Sequence, residues 1–87
     1  MILTVRLVDA AGRRRRAYLT TDHAASSYGV PVLLLDGEPL GPGDLAPGTW
    51  IEPPDRGSLT PRFEVTHWPI VDRARAAGYP VNIPGGS

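Results

Sequence analysis

The amino-acid sequence predicts a small α+β protein that is mainly β, with an antiparallel sheet of five to six short strands or a partly open barrel, and one short helix over about residues 69–77. The 87 residues are enough for one hydrophobic core. Ten glycines and ten prolines divide the chain into short segments with many turns. Between those turns, several segments alternate apolar and polar residues, which is typical of strands. We therefore expect one domain over residues 1–83, an internal loop or linker at 53–61 and a flexible tail at 84–87.

The first two strands are predicted to form an N-terminal β-hairpin. Apolar and polar side chains alternate from Ile2 to Val8, and Asp9–Gly12 is typical of a turn. The return strand is predicted over Arg15–Thr21, with Ala17 and Leu19 on one face and Arg16 and Tyr18 on the other.

Three further short strands follow a turn at residues 22–29. The apolar run Val30–Leu35 predicts a buried strand, and Asp36-Gly37 is a strong signal for a two-residue hairpin. The return strand Glu38–Leu40 contains Pro39, which indicates the edge of a sheet. Thr49–Glu52 predicts another short strand.

The last third of the chain predicts one more strand and the helix. Alternation over Arg62–Trp68 favours a strand, with Trp68 on its polar face. Pro69 suits the first position of a helix that ends near Ala77, and Gly78 suits the residue just beyond it. Residues 79–83 are expected to form a final extended segment.

Composition excludes several classes of chemistry. The chain has no cysteine and no lysine, because all nine cationic residues are arginine. Thiol nucleophiles, disulfides, iron–sulfur clusters, Schiff-base lysines and phosphate-loop lysines are therefore excluded. No stretch reaches the length of about 20 apolar residues that a membrane span needs. The first residues lack a basic region followed by an apolar core, so we expect that they do not form a signal peptide. We expect a cytoplasmic protein with no cofactor, no bound metal and no membrane partner.

The strongest candidate site is the run of arginines that begins the return strand of the hairpin. Guanidinium groups form a planar fork that matches phosphate oxygens, so the run predicts contacts with a polyanion. Tyr18 lies on the same strand face as Arg16 and is a candidate for stacking on a base, while Trp68 is a candidate anchor for a partner. The predicted binding residues are Arg13, Arg14, Arg15, Arg16, Tyr18 and Trp68.

Catalytic and metal sites have weaker support. Asp22, His23 and Ser26 are the residue types of a nucleophile–base–orienter set, but adjacent side chains diverge and turn capping explains Asp22 and Ser26. His23 and His67 lie 44 residues apart, which matches no recognised metal-ligand spacing. We therefore predict no catalytic residue and no metal ligand.

These observations predict a non-catalytic interaction module that binds nucleic acid or a protein partner through the arginine-rich hairpin and an exposed aromatic. The net charge of zero leaves the choice between these partners open. One alternative is a structural subunit of a larger assembly, or a homo-oligomer, joined through open sheet edges. A less favoured alternative is a small enzyme that uses His23 or His67 as a base.

Overall fold

The computed structural model describes residues 2–53 and 61–83, with the backbone alone over 61–66. The predicted linker at 53–61, apart from its ends, and the predicted tail at 84–87 lie outside the described residues. Within the described part, the secondary-structure elements are five strands, one short 3-10 helix and one α-helix. They are β1 (Ile2–Val8), β2 (Arg14–Thr20), β3 (Val32–Leu35), β4 (Glu38–Leu40), the 3-10 helix Pro42–Asp44, β5 (Trp50–Glu52) and α1 (Pro61–Ala76).

The five strands form one open antiparallel sheet in the order β4-β3-β2-β1-β5. This arrangement confirms the predicted mainly-β fold with one helix in the C-terminal half. The first four strands follow one another as a meander, and β5 returns to pair with β1. Strand β2 is therefore central, with two strands on either side of it.

The turn between β1 and β2 is held by one carboxylate. Asp9 Oδ1 accepts hydrogen bonds from the backbone N–H groups of Ala11 and Arg13, both at 2.9 Å. Gly12 adopts φ +84°, a left-handed conformation that costs glycine little. This closed turn sets the register in which Val8 pairs with Arg14, so the arginine run enters β2 at a defined point.

The predicted hairpin at Asp36-Gly37 is confirmed. Both residues have positive φ, +52° and +81°, as the preferred two-residue turn requires. The strand that returns from this turn, β4, lies at the edge of the sheet, as predicted from the presence of Pro39.

One face of the sheet carries the hydrophobic core. Its strand residues include Leu3, Val5, Ala17, Leu19, Leu33 and Ile51, which share this face through the strand register and are at most 2% exposed. Trp68, Ile70, Val71 and Ala74 of α1 belong to the same core cluster. The alternate positions of β1 and β2 lie on the opposite face, where Thr4, Arg6, Arg14, Arg16 and Tyr18 are exposed and Val8 and Thr20 are buried.

The predicted strand over Arg62–Trp68 is wrong, because α1 runs through it from Pro61 to Ala76. The helix predicted from Pro69 exists, but it starts eight residues earlier and Pro69 lies inside it. The physical reason lies in the apolar spacing: Trp68, Val71 and Ala74 recur every three residues and bury one helical face in the core. This packing outweighs the local preference of alternating residues for a strand.

The segment after α1 returns to the sheet, in line with the predicted extended segment at 79–83. Ile51 of β5 donates its N–H to Pro80 O and accepts from the N–H of Asn82, both at 2.8 Å. Val81 makes a parallel bridge with Ile51. The outer edge of β5 is therefore covered by the chain itself at its middle residue.

Candidate nucleic-acid interface

The open face of the sheet gathers positive charge around the centre of β1 and β2. In the antiparallel register, Arg6 lies opposite Arg16, Thr4 opposite Tyr18, and Val8 opposite Arg14. Directly paired residues point to the same face of a sheet, as do residues two apart on one strand. Arg6, Arg14, Arg16 and Tyr18 therefore share one exposed surface, here named the arginine face.

The strand pleat divides the four consecutive arginines. Arg14 and Arg16 lie on the arginine face, whereas Arg15 pairs with the core-facing Leu7 and forms an ion pair with Asp36 in the β3–β4 turn. Arg13 remains in the hairpin turn before β2 begins. The predicted run thus supplies two of the arginines on this surface, and Arg6 from β1 supplies the third.

Glu52 of β5 binds two of these arginines. Its Oε2 lies 3.3 Å from Nε of Arg14 and 3.8 Å from Nε of Arg6. The indole N–H of Trp50 donates to the other carboxylate oxygen, Oε1, at 3.2 Å. The Glu52 side chain is 15% exposed, and those of Arg6 and Arg14 are 56% and 57% exposed, so the carboxylate is sheltered while both guanidinium groups remain open to solvent.

These contacts lower the pKa of the Glu52 carboxyl below its ordinary value. The hydrogen bond from Trp50 is the largest cause, and the hydrogen bond and positive charge of Arg14 add to it against the opposing effect of desolvation. Glu52 is therefore ionised at neutral pH and acts as a fixed anion among the arginines.

The arginine face carries more positive than negative charge. Three guanidinium groups surround one carboxylate, and within the described residues no carboxylate lies within ion-pair distance of Arg16. Arg16 also lies directly opposite Arg6, and like charges in this position destabilise a sheet by up to about 1 kcal/mol. Among the described residues, this face therefore carries a local excess of positive charge, although the chain is neutral overall.

A shallow groove lies along these charged side chains. It has a volume of about 340 Å³, and its walls include Thr4, Arg6, Arg14, Arg16 and Glu52. Val5 and Arg15 also line it. A groove that is open to solvent and edged with guanidinium groups suits an extended anion better than a small molecule that must be enclosed.

The structure places the two predicted aromatics differently. Tyr18 is 37% exposed at the end of the arginine face, between Thr4 of β1 and Leu34 of β3 in the register. Trp68 is 5% exposed and packs in the core from α1. The predicted exposed position of Trp68 is therefore wrong, because residues 62–68 form part of α1 and not a strand with a polar face.

Three residues of the catalytic alternatives make local hydrogen bonds. Nδ1 of His23 accepts the N–H of Ala25 at 3.0 Å, and the hydroxyl of Ser26 donates to Val30 O at 2.6 Å. Asp22 donates its N–H to the hydroxyl of Thr20 at 3.0 Å, and His67 lies on α1. Neither histidine lines the groove on the arginine face. In residues 2–53 and 67–83, no group of three or more histidine, aspartate and glutamate side chains is arranged to hold a metal ion.

Sequence reasoning missed Arg6, Glu52 and Trp50. Arg6 could have been found, because a turn closed at Asp9–Gly12 places it opposite Arg16. Glu52 and Trp50 reach the site through the pairing of β5 with β1, which joins residues more than 40 positions apart. Local sequence pattern carries no signal for such a contact.

The described helix α1 is neither long nor apolar enough to cross a membrane. Comparison of the whole chain with protein-family models, curated proteins and solved structures finds no match.

Proposed function

We propose that the chain is a non-catalytic interaction module that binds nucleic acid through the arginine face. The observation that carries this proposal is the placement of Arg6, Arg14 and Arg16 on one exposed sheet face with Glu52 as their single described counter-ion. Guanidinium forks match phosphate oxygens with two parallel hydrogen bonds, and each phosphate contact also releases counterions.

Features of the same surface favour nucleic acid over a protein partner. Guanidinium groups edge the groove, and the regularly spaced phosphates of a nucleic acid can neutralise several of them at once. Tyr18 lies beside the arginines and offers a flat ring to a base. The opposition of Arg6 and Arg16 costs stability in the free protein, and a bound phosphate relieves that repulsion.

Assembly through open sheet edges has less support. The edge strand β4 has three residues and contains Pro39, which lacks an N–H group. At the other edge, Ile51 already exchanges hydrogen bonds with Pro80 and Asn82. Both edges therefore offer little backbone for pairing with another chain.

The test is fluorescence anisotropy with a labelled DNA duplex and a labelled single strand, at about 50 and 200 mM salt. The wild type is compared with the double variant Arg14→Ala/Arg16→Ala. The matched control is Arg73→Ala/Arg75→Ala, which removes the same charge from exposed positions on α1.

We expect salt-sensitive binding by the wild type and by the control. In the Arg14→Ala/Arg16→Ala variant, binding weakens and the slope of log K against log salt falls by about 1.4 for a single strand, or about 1.8 for a duplex. The proposal is contradicted if neither the duplex nor the single strand binds at low salt. It is also contradicted if the Arg73→Ala/Arg75→Ala control loses as much affinity as the Arg14→Ala/Arg16→Ala variant.

A further inference from the structure

The position of the arginine face in the sheet bears on which form of nucleic acid fits it. Strand β2 is central, with β3 and β4 on one side and β1 and β5 on the other. Five strands about 4.8 Å apart span about 19 Å. The major groove of a DNA duplex is about 12 Å wide and admits a helix or a two-stranded ribbon. The sheet is therefore too broad for its central side chains to reach base edges inside a duplex groove.

The spacing along β2 provides a linear track instead. Arg14, Arg16 and Tyr18 occupy alternate positions of one strand, so successive side chains are about 6.8 Å apart and the track is about 14 Å long. Arg6 lies beside Arg16 on the neighbouring strand and widens the cationic part of the track. Cationic and aromatic groups thus follow each other in a line that an extended strand can follow.

The aromatic end of this track is the partly exposed ring of Tyr18. Tyr18 is 37% exposed, so part of its ring is covered while part remains available. In the register it lies between Thr4 and the half-buried Leu34. A ring that is already partly covered by the protein loses little entropy when a base stacks on it. Only an unpaired base presents its face to a flat surface, because the bases of a duplex already stack on each other.

We propose, on the basis of the proposed function, that the arginine face binds single-stranded nucleic acid in preference to duplex. The phosphates lie along Arg14, Arg16 and Arg6, and a base stacks on Tyr18. At about 6.8 Å per step, the track accommodates two to three nucleotides. Charge complementarity determines the class of ligand, and the stacking position determines its single-stranded form.

The experiment measures the binding of a labelled oligothymidylate of about 12 nucleotides and of a duplex of equal length by anisotropy, at matched salt. The variants are Tyr18→Leu, which removes the ring, and Tyr18→Phe, which keeps the ring and removes the hydroxyl. Tyr28→Leu is the matched control, because Tyr28 is fully exposed and lies outside the arginine face. Unfolding curves of each variant separate loss of binding from loss of the fold.

We expect at least tenfold tighter binding of the single strand. Tyr18→Leu weakens it by about 5- to 150-fold without changing the salt slope, since one stacked base is lost and no charge changes. Tyr18→Phe and Tyr28→Leu bind as the wild type does. Equal or tighter binding of the duplex, or an unchanged affinity in a folded Tyr18→Leu variant, overturns this inference and leaves the proposed function standing. Failure of both oligonucleotides to bind overturns the proposed function itself.

Discussion

Replacement of Glu52 by glutamine should weaken the fold and strengthen the binding of nucleic acid. The carboxylate holds Arg14 and Arg6 at 3.3 and 3.8 Å and accepts the indole N–H of Trp50. Each arginine is more than half exposed, so each ion pair contributes only about 0.2–1 kcal/mol after solvent screening. Glutamine keeps an acceptor for Trp50, but the bond loses its charge and about half its strength.

These contributions together predict a loss of about 1–2 kcal/mol in the free energy of unfolding at pH 7. Since 1 kcal/mol shifts the melting temperature of a domain of this size by about 4–8 °C, the expected decrease is about 5–15 °C. The same substitution removes the negative charge that competes with phosphate, so affinity for DNA rises. A general disruption of the fold lowers both quantities and cannot produce these opposite changes.

The stability difference between Glu52→Gln and the wild type depends on pH. The pKa of Glu52 is lower in the folded state than its ordinary value of 4.5. A lowered carboxyl pKa contributes stability that is fully present above the unfolded pKa and is lost as pH falls through the folded pKa. The free energy of unfolding of the wild type should therefore exceed that of the variant by a constant amount from pH 7 down to about 5.5. This difference should shrink below about pH 4.5.

The assay is urea unfolding of both proteins, followed by circular dichroism at pH 7, 5.5 and 3.5, with DNA anisotropy at pH 7. Equal stability at pH 7 refutes the structural role of the carboxylate. A margin that grows as pH falls refutes the sign of the pKa shift. An unchanged or lower DNA affinity refutes the idea that Glu52 competes with phosphate.

Two further predictions concern contacts away from the arginine face. Tyr79→Phe should cost about 1 kcal/mol, because the buried hydroxyl donates to Leu40 O at 2.9 Å. Burial raises the pKa of Tyr79, so the wild type should lose stability as pH rises through that pKa, above 10, and urea unfolding should show no such loss from this group in the variant. Gly48→Ala should destabilise the fold more than Gly12→Ala. Both glycines have φ above +80°, but a Cβ at Gly48 meets Ala10 Cβ at 2.9 Å whereas one at Gly12 meets nothing within 4 Å. Thermal unfolding that ranks the two glycine variants equally contradicts this packing argument.

The parts of the fold that follow from local chemistry could be predicted from the sequence. Both hairpin turns contain an aspartate and a glycine at positions that need hydrogen-bond acceptors or positive φ. Alternation between Ile2 and Val8 and along β2 assigned most side chains to the correct face. These signals act within a few residues, so tertiary contacts do not override them.

The candidate site could be predicted only in part. The sequence predicts that the four consecutive arginines form one binding site. Because side chains of a strand alternate between its two faces, Arg15 lies on the face opposite to that of Arg14 and Arg16. The counter-ion Glu52 arrives through pairing of β5 with β1, a non-local contact that no spacing in the sequence encodes. Tyr18 can be predicted because it lies two residues after Arg16 on the same strand, and therefore on the same face.

The helix boundary shows how a correct rule can be applied at the wrong residue. Proline favours the first position of a helix, and both Pro61 and Pro69 satisfy that rule. The alternation of apolar and polar residues over 62–68 predicts a strand there, and therefore a helix that begins at Pro69. Burial of Trp68 with Val71 and Ala74 on one helical face instead extends α1 back to Pro61.

Pro69→Ala tests this boundary directly. Inside a helix, proline lacks the N–H that bonds to the carbonyl four residues earlier, and alanine is more favourable there by about 3 kcal/mol. This difference already includes the greater freedom of the unfolded alanine chain, so the stabilisation should be up to about 3 kcal/mol. Pro69 is exposed, and its removal deletes no buried contact of the core.

The control for this prediction is Pro47→Ala. Pro47 lies in the turn closed by the hydrogen bond from Thr49 N to Ala46 O at 3.1 Å, where its fixed φ restricts the unfolded chain. Its removal should lower stability by up to about 1 kcal/mol. Urea unfolding should therefore move the two variants in opposite directions. If α1 began at Pro69, both substitutions would remove a favourable proline and both midpoints would fall, so the sign of the Pro69→Ala change decides where the helix begins.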